Sequence, residues 1–147
     1  MSLFRSPEGA LARLQALIEA EVKKYRHEYG DRAALLLTDW PQNSGLQGWF
    51  VRLVREGHQR AHNHTDAWLS GCFYLQIPDE VNGDEGAIEF CLDGPGYPEI
   101  GNSSTTLLHR PRAGNLVLFP SSLFHRTIPF TSDEERLCIA FDIVPVG

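Results

Sequence analysis

Between Pro7 and Tyr29 the apolar positions Leu11, Leu14, Leu17, Ile18, Val22 and Tyr25 recur every three or four residues, with charged residues between them. That spacing gathers them on one side of a helix, with Ser6 as N-cap, Pro7 in the first helical position and Gly30 as the stop. His27 falls on the charged side and reads as solvated. After Gly30 the period changes. Short runs rich in β-branched and aromatic residues, broken by Gly, Pro, Asn and Asp, predict strands over 34–37, 48–55, 69–77, 87–92, 105–109, 115–119 and 137–144. Several are too closely spaced for crossover helices, so the pairing is expected to be mainly antiparallel, in a sandwich or open barrel. The acidic connection 78–86, containing Asn82-Gly83, and the Gly- and Pro-rich connection 93–104 read as loops that could border a pocket.

A chain of 147 residues has the length of one domain, with the helix at about 7–29 and the barrel at about 34–145. A formal charge of −6 argues against a phosphate-backbone binder, which needs a basic face. No apolar run reaches membrane-spanning length, and Met1 to Arg5 lacks a secretory core. Cys72, Cys91 and Cys138 form no closely spaced pair and sit in apolar runs, which fits free, packed thiols in a reducing, cytoplasmic setting.

The chemistry is concentrated in two places. His62-Asn63-His64-Thr65-Asp66 follows Gly57-His58-Gln59, and His125 ends a segment that runs from Pro111 and Gly114 through Leu116 to Phe119 and Pro120. In an extended chain, residues two apart project to one side, so His62 and His64 share a face, and so do His64 and Asp66. His64, Asp66 and His125 would form the two-histidine, one-carboxylate face of an oxygen-activating iron centre. His62, His64 and His125 would form a three-histidine face that also suits zinc. A cupin motif is not met, because Ala67-Trp68-Leu69-Ser70 stands where its glutamate would follow.

These residues resemble the 2-oxoglutarate and Fe(II)-dependent oxygenases. They are most similar to a bacterial branch, sometimes fused to tetratricopeptide repeats, through Trp49-Phe50-Val51-Arg52-Leu53, Gly57-His58-Gln59, His62-Asn63-His64, Trp68-Leu69-Ser70-Gly71, Phe119-Pro120-Ser121, His125-Arg126-Thr127, Pro129-Phe130 and Arg136 through Asp142. The similarity runs from about Trp40 to Pro145 and looks like an oxygenase domain alone. It implies a mainly β fold, the double-stranded β-helix (a jelly-roll or cupin-like barrel), with the N-terminal helix packed on the sheet. It also implies Fe(II) as cofactor, 2-oxoglutarate as co-substrate, and O₂ consumed to hydroxylate a substrate with release of succinate and CO₂. His125 takes the place of the distal ligand and Arg136 that of the base that pairs with the far carboxylate of 2-oxoglutarate. Tyr74, Ser70 and Thr127 are further candidates for that co-substrate. The bacterial branch favours His62 with His64, whereas the wider superfamily uses His-x-Asp, which Asp66 fits.

Other readings stay in view. Arg136 could instead form a solvated pair with Asp133 or Glu134. Trp49, Trp68, Phe119 and Phe124 read first as core aromatics. His58 serves equally as a turn residue or as support for a ligand, and His109 reads as structural. The competing functions are a zinc or nickel barrel acting as hydrolase, isomerase or sensor, and a metal-free sandwich that binds a partner through acidic loops. The substrate, small molecule or protein, and the oligomeric state have no signature in the sequence.

Overall fold

The computed structural model describes residues 2–30, 32, 35–79, 81–92, 94 and 106–147. Helix α1 spans Gly9–Tyr29 and buries Ile18 and Val22, each contributing roughly 1.5–3 kcal/mol by leaving water. It starts two residues later than the pattern predicts. Glu8 is the extended N-cap, and Gly9 has a φ of 55°, so helical backbone cannot propagate from Pro7. The Ser6 hydroxyl donates to the Arg5 carbonyl rather than capping. The segment expected as a strand over 34–37 is instead a helical turn, α2, Leu35–Thr38; residue 34 lies outside the described residues. Leu36 there packs on the core, and its carbonyl accepts the Trp68 indole N–H at 2.8 Å.

Among the described residues seven strands follow: β1 Ser44–Leu53, β2 Leu69–Gln76, β3 Ile88–Cys91, β4 Thr106–His109, β5 Leu116–Pro120, β6 Phe124–Thr127 and β7 Arg136–Pro145. Every pairing is antiparallel, in two sheets ordered β1-β7-β2-β5 and β4-β3-β6. The sequence gives no cue for β6, which is only four residues long and carries His125 and Arg126.

The period of two in the larger sheet decides what each face does. Leu69, Ile139, Phe141 and Ile143 point to α1 and form the main core with Phe4, Ile18 and Val22. Gly71 lies on that face because a Cβ there would stand 2.4 Å from the Phe141 ring and 2.6 Å from the Val117 carbonyl oxygen. The alternate residues face the smaller sheet, and the register pairs them directly: Ser70 with Asp142, Cys72 with Ala140, Tyr74 with Cys138 and Trp49 with Ala140. Across the interior, Ile88 and Phe90 pack against Phe119. Polar side chains concentrate on the inner face of an otherwise apolar barrel, and that concentration marks the site. No helix among the described residues is long and apolar enough to cross a membrane.

Candidate metal centre

His62 and His125 exchange backbone hydrogen bonds, N to O at 3.1 and 2.9 Å, in an isolated antiparallel bridge. Residues opposed in this way put their side chains on one side of the ladder. The His64 amide is held by the Ser121 carbonyl at 2.9 Å. The three rings converge, with centroids 4.4 to 5.2 Å apart, and one nitrogen from each lies within 4.8 Å of the others. Three imidazole nitrogens gathered this closely would hold one divalent ion between them.

Every imidazole has its Nδ1 engaged. His62 meets the Arg60 carbonyl at 2.7 Å, His125 the Leu123 carbonyl at 3.1 Å, and His64 the Asp142 carboxylate at 2.7 and 2.9 Å. Carbonyls only accept, so Nδ1 of His62 and His125 donates and the lone pair stands at Nε2, where a metal takes it. His125 is 7% exposed. Burial, reinforced by neighbouring His62 and His64 and opposed by the Leu123 carbonyl, pulls its pKa down to about 4. The ring is therefore neutral at pH 7 and ready to ligate. Its folded value lies below the ordinary 6.5, so the metal-free protein keeps full stability above pH 6.5 and loses it as the pH falls toward 4, by about 3 kcal/mol. Urea denaturation at pH 7 and at pH 4.5 is expected to show this loss in the metal-free wild type and a smaller one in His125→Asn.

Asp66 stands apart. Thr65 and Asp66 form a turn, closed by the Ala67 amide on the His64 carbonyl at 3.2 Å, so the alternation that would align Asp66 with His64 stops there. Asp66 is exposed and absent from the histidine cluster. His58 is exposed, just past the turn at Arg55 and Glu56, and its Nδ1 meets the Glu56 carbonyl at 3.2 Å. His109 is half-buried, with no partner for Nε2 among the described residues.

The histidines open on a cavity shared with Arg136, Thr127, Cys72, Trp49 and Gln59. Arg136 is 2% exposed. Its Nε donates to the Gly86 carbonyl at 3.1 Å, across the barrel, and its guanidinium lies 5.0 Å from the centre of the Tyr74 ring. No carboxylate pairs with it among the described residues. The acidic neighbours are engaged elsewhere: Asp133 with Arg55 at 2.9 Å, Glu135 with Arg52, and Glu134 with the Asp79 amide at 2.8 Å. The surface-pair alternative for Arg136 is therefore not what forms. The nearest approach to a counter-charge is Cys138 Sγ, 3.9 Å from Nη1, whose pKa is drawn to about 7 by its hydrogen bond with Cys72 and by Arg136. The Tyr74 hydroxyl is buried without a hydrogen-bond partner among the described residues, apart from the weakly polar Cys72 thiol beside it. A buried cation with an unpartnered donor beside it suits an anion, although Tyr74 itself does not line the cavity.

Ser70 belongs to a different part of the site. Its hydroxyl donates to Asp142 Oδ1 at 2.6 Å and shares a 2.7 Å bond with Ser121. Of the aromatics, Trp49 lies 5.8 Å from His64 and Phe119 4.7 Å from His125, so both wall the histidine cluster, whereas Trp68 is tied to α2. Asp142 and Ser121 belong to the pattern that carries the family resemblance, but the sequence assigned neither a role in the site. A carboxylate between Phe141 and Ile143 in a buried strand was the signal for the first.

A double-stranded β-helix that brings three imidazoles together beside a buried arginine has a donor set that could hold one divalent metal ion. Residues 47–142 match the family model described as "Putative 2OG-Fe(II) oxygenase", and the chain belongs to that family, whose cofactor is Fe(II) and whose co-substrate is 2-oxoglutarate. Among solved structures, a Pseudomonas putida prolyl-4-hydroxylase superposes with a TM-score of 0.60 at 16% identity, over 97% of this chain and 68% of that one. HygX from Streptomyces hygroscopicus, in its iron-bound form, superposes with a TM-score of 0.53 at 16% identity over 71% of this chain. The match covers 60% of the HygX chain, less than two thirds of its length. At that identity the likeness is one of fold. No curated protein matches the sequence.

Proposed function

We propose that the chain is a 2-oxoglutarate-dependent dioxygenase that holds Fe(II) through Nε2 of His62, His64 and His125 and hydroxylates a substrate yet to be identified. The observation that carries this reading is Arg136, a buried guanidinium without a carboxylate partner among the described residues, in the cavity that the three histidines line. Fe(II) with 2-oxoglutarate supplies the coupling of O₂ reduction and decarboxylation to C–H oxidation, with release of succinate and CO₂.

The chain's own residues bind, orient and shelter. Arg136 anchors the far carboxylate of 2-oxoglutarate through a charge-assisted pair, with the Tyr74 hydroxyl and Thr127 as further donors. Trp49 and Phe119 keep water from the metal side. The cavity is narrow, about 20 Å³, so a five-carbon dicarboxylate requires its lining to open. Three neutral ligands also suit zinc, but a zinc hydrolase gives no role to a buried arginine that lacks an anion. The unbridged thiols of Cys72 and Cys138 support a cytosolic setting as part of the same proposal.

The test is Fe(II)-dependent conversion of 2-oxoglutarate to succinate under air. Conversion that requires added iron supports the reading; none with any divalent metal would refute it. The ligand set is checked by comparing His62→Ala with Asp66→Ala. Loss of a ligand is expected to weaken Fe(II) binding by more than about 100-fold, beyond the usual effect of an outer partner, whereas Asp66→Ala should bind like wild type.

A further inference from the structure

We infer that Asp142 is a positioning residue that delivers its negative charge to the metal through His64, taking over the electrostatic part of the carboxylate ligand that Asp66 does not supply. This inference rests on the three-histidine site proposed above. Three neutral imidazoles leave the full charge of a divalent ion uncompensated, whereas a set containing one carboxylate halves it. The structure places a carboxylate one bond further out. Asp142 lies on the inner face of β7, its side chain 14% exposed, with Oδ1 and Oδ2 at 2.7 and 2.9 Å from His64 Nδ1. Its one ion-pair partner among the described residues is that imidazole.

The hydrogen bonds around Asp142 run in one direction. Ser70 and Asp142 are opposed in the β2–β7 register, and Ser70 donates its only proton to Oδ1 at 2.6 Å. The 2.7 Å contact between the Ser70 and Ser121 hydroxyls must then be donated by Ser121. Ser70 and Ser121 are each 1% exposed, so the pattern is shut off from water. Ser121 is fixed in turn, because its carbonyl accepts the His64 amide and its own amide reaches the Trp68 carbonyl at 3.3 Å. Every proton in the chain points to the Asp142 carboxylate, which keeps that group an acceptor for His64 Nδ1–H. Drawing that proton outward raises the electron density at Nε2 and strengthens His64 as a ligand. His62 and His125 have no such help, since their Nδ1–H groups meet the neutral carbonyls of Arg60 and Leu123.

The contrast provides an internal control. In wild-type protein loaded with Zn(II), which is diamagnetic, nitrogen-15 NMR is expected to show all three rings protonated at Nδ1, with the His64 proton furthest downfield. A His64 proton no further downfield than those of His62 and His125 would overturn the inference without any variant. The variant test is Asp142→Asn, which keeps the shape and one acceptor but removes the charge. Its anaerobic Co(II) affinity should fall about 10- to 100-fold, and the midpoint potential of the Fe(III)/Fe(II) couple should rise because the oxidised ion loses its nearest anion. A purely structural aspartate would leave the potential unmoved, so wild-type affinity and potential in Asp142→Asn overturn the proposal. His125→Ala separates this failure from that of the underlying site: if it binds Co(II) like wild type, the three-histidine reading itself falls.

Discussion

Replacing His125 with Ala is expected to abolish Fe(II) binding and, with it, succinate formation, while the protein stays folded. The ring is one of three converging donors, and it is the one that burial keeps neutral at working pH. Two remaining imidazoles form an incomplete face, so the affinity loss should exceed the roughly 100-fold typical of outer partners. The fold survives because the contacts that place residue 125 are backbone bonds to His62 and the ladder to β3, which Ala retains. Circular dichroism and anaerobic Fe(II) titration on the same sample separate the two effects. A folded variant that binds iron like wild type would remove His125 from the site.

Arg136→Met should have an opposite signature in the two states of the protein. Without ligand, the guanidinium is a buried cation whose desolvation no carboxylate among the described residues offsets, so an apolar chain of similar length is expected to leave the unliganded protein as stable as wild type or more so. With 2-oxoglutarate, the loss of a charge-assisted anchor costs on the order of 2–5 kcal/mol, or about 30-fold to a few thousand-fold in the co-substrate requirement. Wild type held with Fe(II) should gain about 2.7 kcal/mol at a co-substrate concentration 100 times its Kd, whereas the variant at that concentration should gain little. Thermal melts with and without 2-oxoglutarate read both quantities. An equal shift in the two proteins would show that Arg136 does not hold the co-substrate.

The sequence carried the parts of this architecture that depend on short-range periodicity. The α1 stripe and the alternation in β2, β5 and β7 are local, and their elements lie within a few residues of the expected positions. The alternation also predicted that His62 and His64 share a face, and the family resemblance assigned the distal position to His125. What failed was set by tertiary structure. The run 35–38 has the composition of a strand, yet it forms a helical turn whose Leu36 carbonyl receives Trp68. Strand β6 is too short and polar to announce itself and exists because β3 pairs with it. Asp66 obeyed the same rule of two as His62, but the turn at Thr65 ends the extended backbone on which that rule depends. Asp142 lies 78 residues from His64, and its role depends on a β2–β7 register that no local pattern encodes. The expectation that 93–104 borders a pocket falls mostly outside the described residues.

One spectrum tests the joint placement of metal and co-substrate most directly. Under anaerobic conditions, adding 2-oxoglutarate to the Fe(II)-loaded protein should produce a weak visible charge-transfer band that saturates at one equivalent of iron and is missing from His125→Ala. A protein that binds both iron and 2-oxoglutarate yet shows no such band would place them at separate sites and contradict the shared cavity of His62, His64, His125 and Arg136.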